Sequence, residues 1–260
     1  MIERAYKKLV VTAAGGRATL CLNNEARKNA IGPLMVNELL YALEDADADP
    51  EVRVVVLTGA GNAFSAGGDF SSMQSGDGEE LPHKGDFADL LLRLARFEKP
   101  LVARVNGVAM GGGLGLVASC HFAVAVDSAK LGTPEIDVGL FPMMIMAVLA
   151  RLVPRRQLLS MMLLGEKFSA EEALRLGLLS QVVAAAELDS AVDALVGRLA
   201  AKSPIATRLG LRAHAATQDL SLEAALPDLR DRLMACLATE DAREGLMAFL
   251  EKRPPAWKGC

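Results

Sequence analysis

The chain is short of aromatic residues, which make up 4% of it with a single tryptophan, and holds only four cysteines and three histidines in 260 residues. Cys21, Cys120, Cys236 and Cys260 lie far apart without a C-x-x-C pair, which argues against a zinc site, a redox motif or a disulfide framework. Long apolar runs are also missing. The longest, residues 138–150, contains Gly139 and Pro142 and falls short of the ~20 residues that a bilayer span requires. The first eight residues carry charge of both signs and no apolar signal core, so the expected location is cytoplasmic. Positive charge is not in excess either. The 28 basic and 32 acidic residues leave −4, and without a long basic run there is no electrostatic footprint for nucleic acid.

What is present is aliphatic. Hydrophobic residues form 52% of the chain and glycine reaches 23, a composition that excludes disorder and supports a large core of small and branched side chains. Residues 18–23 alternate as a strand does. Pro33 then opens a helix carried by Leu34, Val36, Leu39, Leu40 and Leu43, which the acidic stretch 44–49 and Pro50 close. Val52-Arg-Val-Val-Val-Leu-Thr58 fits a strand buried on both faces. The polar stretch 71–86 reads as a loop before a helix near 88–98. Strands follow at 101–105 and 122–126, the latter after a small-residue helix ending near Ser119. Strands separated by helices define an α/β fold. From Arg155 the pattern is helical, over 157–164, 170–176, 188–201, 205–217, 222–237 and 243–250, and the strands are expected to have ended.

Two glycine-bearing turns follow apolar strands: Phe64-Ser-Ala-Gly-Gly-Asp-Phe70 and Asn106-Gly-Val-Ala-Met-Gly-Gly-Gly-Leu-Gly115. Neither is a phosphate loop, because the Lys-Ser/Thr ending is missing and no acidic residue sits at a persuasive strand end further on. If Gly112 opens a helix, its free N–H can bind an anion or a developing oxyanion. Tight turning and close packing are the plain alternative for either motif alone.

Together with Thr133-Pro-Glu-Ile-Asp-Val-Gly-Leu140, the two turns resemble the enoyl-CoA hydratase/isomerase family, the crotonase superfamily. Residues 164–180 and 244–253 continue the likeness, which covers nearly the full length in order and spacing. It implies a crotonase-like α/β spiral of ββα units over residues 1–203 and a helical oligomerisation region over 204–260, assembled as a trimer or a dimer of trimers. It also implies an acyl-CoA thioester as substrate, with coenzyme A part of that substrate and no separate cofactor or metal.

By motif position the resemblance assigns the two backbone donors of an oxyanion hole to Gly68 and Gly112. Such a donor typically contributes ~10²–10³ in rate. The family's hydratases carry two glutamates; here the earlier position is Gly115 and the later one is kept as Glu135. A single carboxylate suits proton transfer between two carbons of one enolate, which favours isomerisation of an enoyl-CoA with Glu135 as the shuttle. A hydratase using Glu135 alone, an inactive acyl-CoA binder and a plain salt-bridge role for Glu135 stand as alternatives. Asp69 reads as tying down its turn, with a base role as the rival. Ala66, Asp69, Phe70, Arg27, Lys28 and Met143 fall where the family touches acyl-CoA; for Arg27 and Lys28 a solvated pair is the alternative, and for the methionines of Phe141-Pro-Met-Met-Ile-Met146, core filling. Asp137 is a minor acid/base candidate, His83 a loop residue near the acyl pocket, His121 structural, and Lys258 a reach toward a neighbouring subunit.

Overall fold

The computed structural model describes residues 4–69 and 81–260. The chain opens with a hairpin, β1 (Leu9–Ala14) and β2 (Arg17–Leu22), turned by Gly15 and Gly16 at φ 59 and 79, which glycine adopts without a Cβ penalty. After α1 (Pro33–Ala48) come three strand pairs: β3 (Val54–Gly59) with β4 (Ala63–Ser65), β5 (Leu101–Val105) with β6 (Val108–Met110), and β7 (Phe122–Val126) with β8 (Lys130–Gly132). The first pair leads to α2 (Phe87–Ala95) and the second to α3 (Gly112–Ser119). The third runs into a 3-10 turn (Pro134–Val138) and then α4 (Met143–Leu149) and α5 (Arg155–Leu164). The remainder is β9 (Lys167–Ser169), α6 (Ala170–Arg175), β10 (Gln181–Val183), α7 (Leu188–Ala200), α8 (Pro204–Thr217), α9 (Leu222–Leu237) and α10 (Glu240–Leu250).

Each pair sends its first strand to one sheet and its second to another. The larger sheet has the order β1-β2-β3-β5-β7-β10 and is parallel beyond the hairpin; the smaller is β4-β6-β8-β9, with only β8 and β9 antiparallel. This is the expected spiral of ββα units. β3 is buried at all six positions, as a central parallel strand covered on both faces must be.

One expectation fails. Strands do not end at Arg155, since β9 and β10 each add three residues to a sheet edge. β8 stops at Gly132, and Glu135 and Asp137 share the 3-10 turn that follows. The short strands β4, β6 and β8 carry too few residues for a period-2 pattern to show. Helix α2 starts at Phe87 because Asp86 caps it, accepting from the Ala88 and Asp89 N–H groups, and α10 starts three residues earlier than expected behind its Thr239 cap.

Around α8–α10, the carboxylate of Asp241 accepts from the Ser203 hydroxyl at 2.6 Å and from the Lys258 and Gly259 N–H groups at 2.7 and 3.1 Å. Trp257 Nε1 donates to the Ala201 carbonyl, so the last residues are strapped back along the start of α8. The apolar stripe of α9 is not covered within the chain: Leu222, Leu226, Leu233 and Leu237 are exposed, and Ala225 alone is buried. Among the described residues no helix is long and apolar enough to cross a membrane, and no group of His, Cys, Asp and Glu is placed to hold a metal.

Candidate active site

The ends of β4, β6 and β8 converge on one cavity of about 300 Å³, whose lining includes Gly68, Gly112 and Glu135. After β4 the chain is clamped to the segment before α1: Ile31 N–H donates to the Gly67 carbonyl at 2.7 Å and Asp69 N–H to the Ile31 carbonyl at 2.9 Å. In this parallel pattern the residue between the two, Gly68, turns its own N–H to the other side. Gly67 sits at φ 105, and a Cβ there would press within 3.0 Å of the Met110 carbonyl oxygen.

Gly112 begins α3, so its N–H has no partner one turn back and lies at the positive end of the helix. Its predecessor Gly111 has φ 49, and a Cβ on Gly111 would lie 2.6 Å from Glu135 Oε1. That position is glycine for two reasons at once, its left-handed backbone and the carboxylate beside it.

Glu135 is held by the turn that follows β8, where Leu140 N–H donates to the Glu135 carbonyl and the Thr133 hydroxyl to the Met161 carbonyl. Its side chain is half-buried against apolar groups. Oε2 is out of solvent with no hydrogen-bond partner, and burial raises the carboxyl pKa above its ordinary value. The rest of the cavity is mostly apolar, with Phe87, Phe141 and Ile145 among its walls and Met143 and Met144 exposed at its mouth. The second carboxylate on the wall, Asp86, is committed to capping α2. The cavity thus brings Gly68, Gly112 and the Glu135 carboxyl together around a mostly apolar space. A cavity of about 350 Å³ elsewhere, lined by Arg53, Lys99 and Trp257, contains none of these residues.

Of the residues singled out from the sequence, Gly68, Gly112, Glu135, Met143 and His83 line the cavity. Asp69 is 8% exposed and accepts from Arg27 Nη1 at 2.8 Å, so Arg27 is tied to that turn and is not a freely solvated cation. Lys28 adopts φ 48 and gives its carbonyl to Ala66 N–H; neither residue lines the cavity. Met143, Met144 and Met146 are exposed, which removes core filling as their role within the chain. Asp137 points at Gly165, where a Cβ would lie 3.0 Å from its Oδ1, and stays out of the cavity. His121 Nδ1 accepts from Leu101 N–H at 2.9 Å, and burial lowers its pKa to about 4, so it is a neutral structural acceptor. Lys258 pairs with Glu240 within the chain. Phe70 lies outside the described residues. Sequence reasoning missed Phe87 and Ile145; the one hint was Gly115, whose missing side chain needed a neighbour to fill its place.

Fold and site together describe a ββα-spiral protein whose cavity offers backbone donors and a carboxylate. The model of the family "Enoyl-CoA hydratase/isomerase" matches residues 13–260, and the chain belongs to that family. It is 35% identical to 2,3-dehydroadipyl-CoA hydratase of Escherichia coli over 97% of this chain and 99% of that one, and 33% identical to crotonyl-CoA hydratase of Syntrophomonas wolfei over 96% and 97%. Among solved structures, human enoyl coenzyme A hydratase domain-containing protein 3 superposes with a TM-score of 0.89 at 30% identity, covering 96% of this chain and 100% of that one. The enoyl-CoA hydratase of Mycobacterium smegmatis gives 0.88 at 32%, covering 96% and 99%. The protein is an enzyme of the hydratase/isomerase family, and an acyl-CoA fits it as substrate.

Proposed function

We propose that the protein isomerises the double bond of an enoyl-CoA by single-glutamate proton transfer. The observation that carries this reading is the pairing of one carboxyl in the cavity, Glu135, whose Oε2 has no hydrogen-bond partner, with glycine at position 115, behind the cavity-lining Ile145, where the family's hydratases carry their other glutamate. Glu135 takes a proton from the α carbon of a 3-enoyl-CoA. The C–H electron pair moves toward the thioester oxygen, which accepts from the Gly68 and Gly112 N–H groups. The dienolate then takes the proton back from the Glu135 carboxyl at the γ carbon, giving the 2-enoyl-CoA. A desolvated carboxyl with a raised pKa suits a group that is base and then acid. Purified protein given 3-enoyl-CoA forms 2-enoyl-CoA, and Glu135→Gln loses that turnover; an unchanged rate in the variant overturns the reading.

One observation favours a second reading, hydration by Glu135 alone: the relatives above are named hydratases. Release of 3-hydroxyacyl-CoA from 2-enoyl-CoA as the faster reaction selects it, and tight acyl-CoA binding without turnover or α-proton exchange selects an inert binder. In the same proposal, Arg27 and Lys28 contact the coenzyme A portion and Ala66 the acyl-CoA, and no separate cofactor takes part. Residues 204–260 form the assembly region of a homotrimer or homohexamer, supported by the uncovered stripe of α9 and by Phe249, 81% exposed on α10. Light scattering after gel filtration tests the assembly. Four unpaired cysteines support a cytoplasmic location.

A further inference from the structure

The family resemblance puts the second acid of a hydratase at position 115, and here a side chain at that position has no room. Gly111 caps α3 and accepts at its carbonyl from the Gly115 N–H at 3.0 Å, so the two lie one turn apart at the start of the helix. Gly111 abuts the Glu135 carboxylate, as described. A Cβ on Gly115 would overlap Ile145 Cγ2 and lie 3.1 Å from Ile145 Cβ, with Phe87 Cζ at 3.8 Å. Ile145 is 3% exposed and lines the cavity from α4. Because the clash reaches its Cβ, and a β-branched side chain in a helix is stiff at χ1, a rotamer change does not clear the space.

We propose that Ile145 sets the outcome of the reaction: by filling the volume over Gly115 it bars both a second carboxylate and a water molecule, so the proton held by Glu135 returns to carbon. The inference rests on the isomerase reading above. Water addition needs the water oxygen to bond the β carbon while the double-bond pair shifts to the α carbon. There it takes a proton from one carboxyl, and the proton that water loses goes to a second carboxylate. A bound water requires about 10–15 Å³ and two to four polar partners. Ile145 and Phe87 offer neither room nor partners, and the second carboxylate has nowhere to stand.

The test compares Gly115→Glu with Gly115→Glu/Ile145→Ala, reading 3-hydroxyacyl-CoA formed from 2-enoyl-CoA against interconversion of 3-enoyl- and 2-enoyl-CoA. The double variant gains hydration on the order of tenfold or more over wild type, within the range of one acid/base group, while Gly115→Glu alone does not. Gly115→Ala/Ile145→Ala, relieved of the overlap with Cγ2 but carrying no added carboxylate, gains none. Equal gains in the single and double glutamate variants overturn the proposal, as does a folded double variant that adds no water. Should the glutamate variants not fold, thermal melts of Gly115→Ala, Ile145→Ala and their double keep the question open to test. Strong positive coupling, with the Ile145 change offsetting the Gly115→Ala loss, is expected, and additivity overturns it. Wild-type turnover of 3-enoyl-CoA and its loss in Glu135→Gln test the isomerase reading separately.

Discussion

Two carboxylates taken out of water meet opposite treatment in this molecule. Asp241 is 1% exposed, yet its two oxygens accept from Ser203, Lys258 and Gly259. Burial pushes its pKa up, and those hydrogen bonds push it further down, below the usual 3.8. Glu135 has no such donors on Oε2, so burial prevails and its pKa rises above 4.5. A buried acid surrounded by donors stabilises the ionised form and fixes a chain segment. One with an oxygen that no donor reaches has its neutral form favoured and exchanges its proton at a higher pH than a free carboxyl does. The difference between strap and site lies in what faces the oxygens.

The largest expected effect breaks the active side of this contrast. Glu135→Gln lowers kcat for enoyl-CoA turnover by ~10²–10⁴, while its Tm at pH 7 equals or exceeds that of wild type, because a half-buried acid whose Oε2 has no hydrogen-bond partner is replaced by a neutral amide. Asp241→Ala does the reverse. It leaves the Ser203 hydroxyl and two N–H groups without their acceptor, which at ~1–3 kcal/mol per unsatisfied group costs about 3 kcal/mol or more, read as a lowered urea midpoint.

Acidification should separate the two in order. The folded pKa of Glu135 is raised, so kcat/KM falls as pH drops through a value above 4.5, where the base becomes protonated. The folded pKa of Asp241 is depressed, so its stabilising contribution is complete above 3.8 and is lost as pH falls through its lower folded value. The single tryptophan, Trp257, lies on the strap, and its fluorescence should report release only at more acid pH than the loss of activity. Release first, at the higher pH, sinks the contrast. The smallest effect is that of Trp257→Phe, which forfeits the hydrogen bond to Ala201 for ~1 kcal/mol and leaves the pH order of activity and unfolding unchanged.

The legible parts of the fold were those with local patterns. The run Val-Val-Val-Leu-Thr58 announced a buried strand, and Pro33 with the leucines after it announced α1. The strands β4, β6 and β8, three residues each, escaped because neighbouring strands define them and their own sequence does not. Glu135 and Gly68 were visible only through their resemblance to a family, Gly112 also as the possible start of a helix, and their convergence lies in the tertiary fold. Ile145 over Gly115 and the Asp241 strap were out of reach for the same reason. Each joins residues that are tens of positions apart or separated by a turn, and neither leaves a periodic trace.

The smaller sheet has one more consequence. Gly68 comes three residues after β4, Gly112 two after β6, and Glu135 three after β8, and these are adjacent parallel strands. Parallel neighbours sit about 4.7–4.9 Å apart, so the hydrogen-bond ladder acts as a ruler that spaces the two proposed donors and the proposed base before any side chain is chosen. The proposed geometry is inherited from backbone pitch, and slipping one strand by a single residue would dismantle it while leaving all three residues in the sequence.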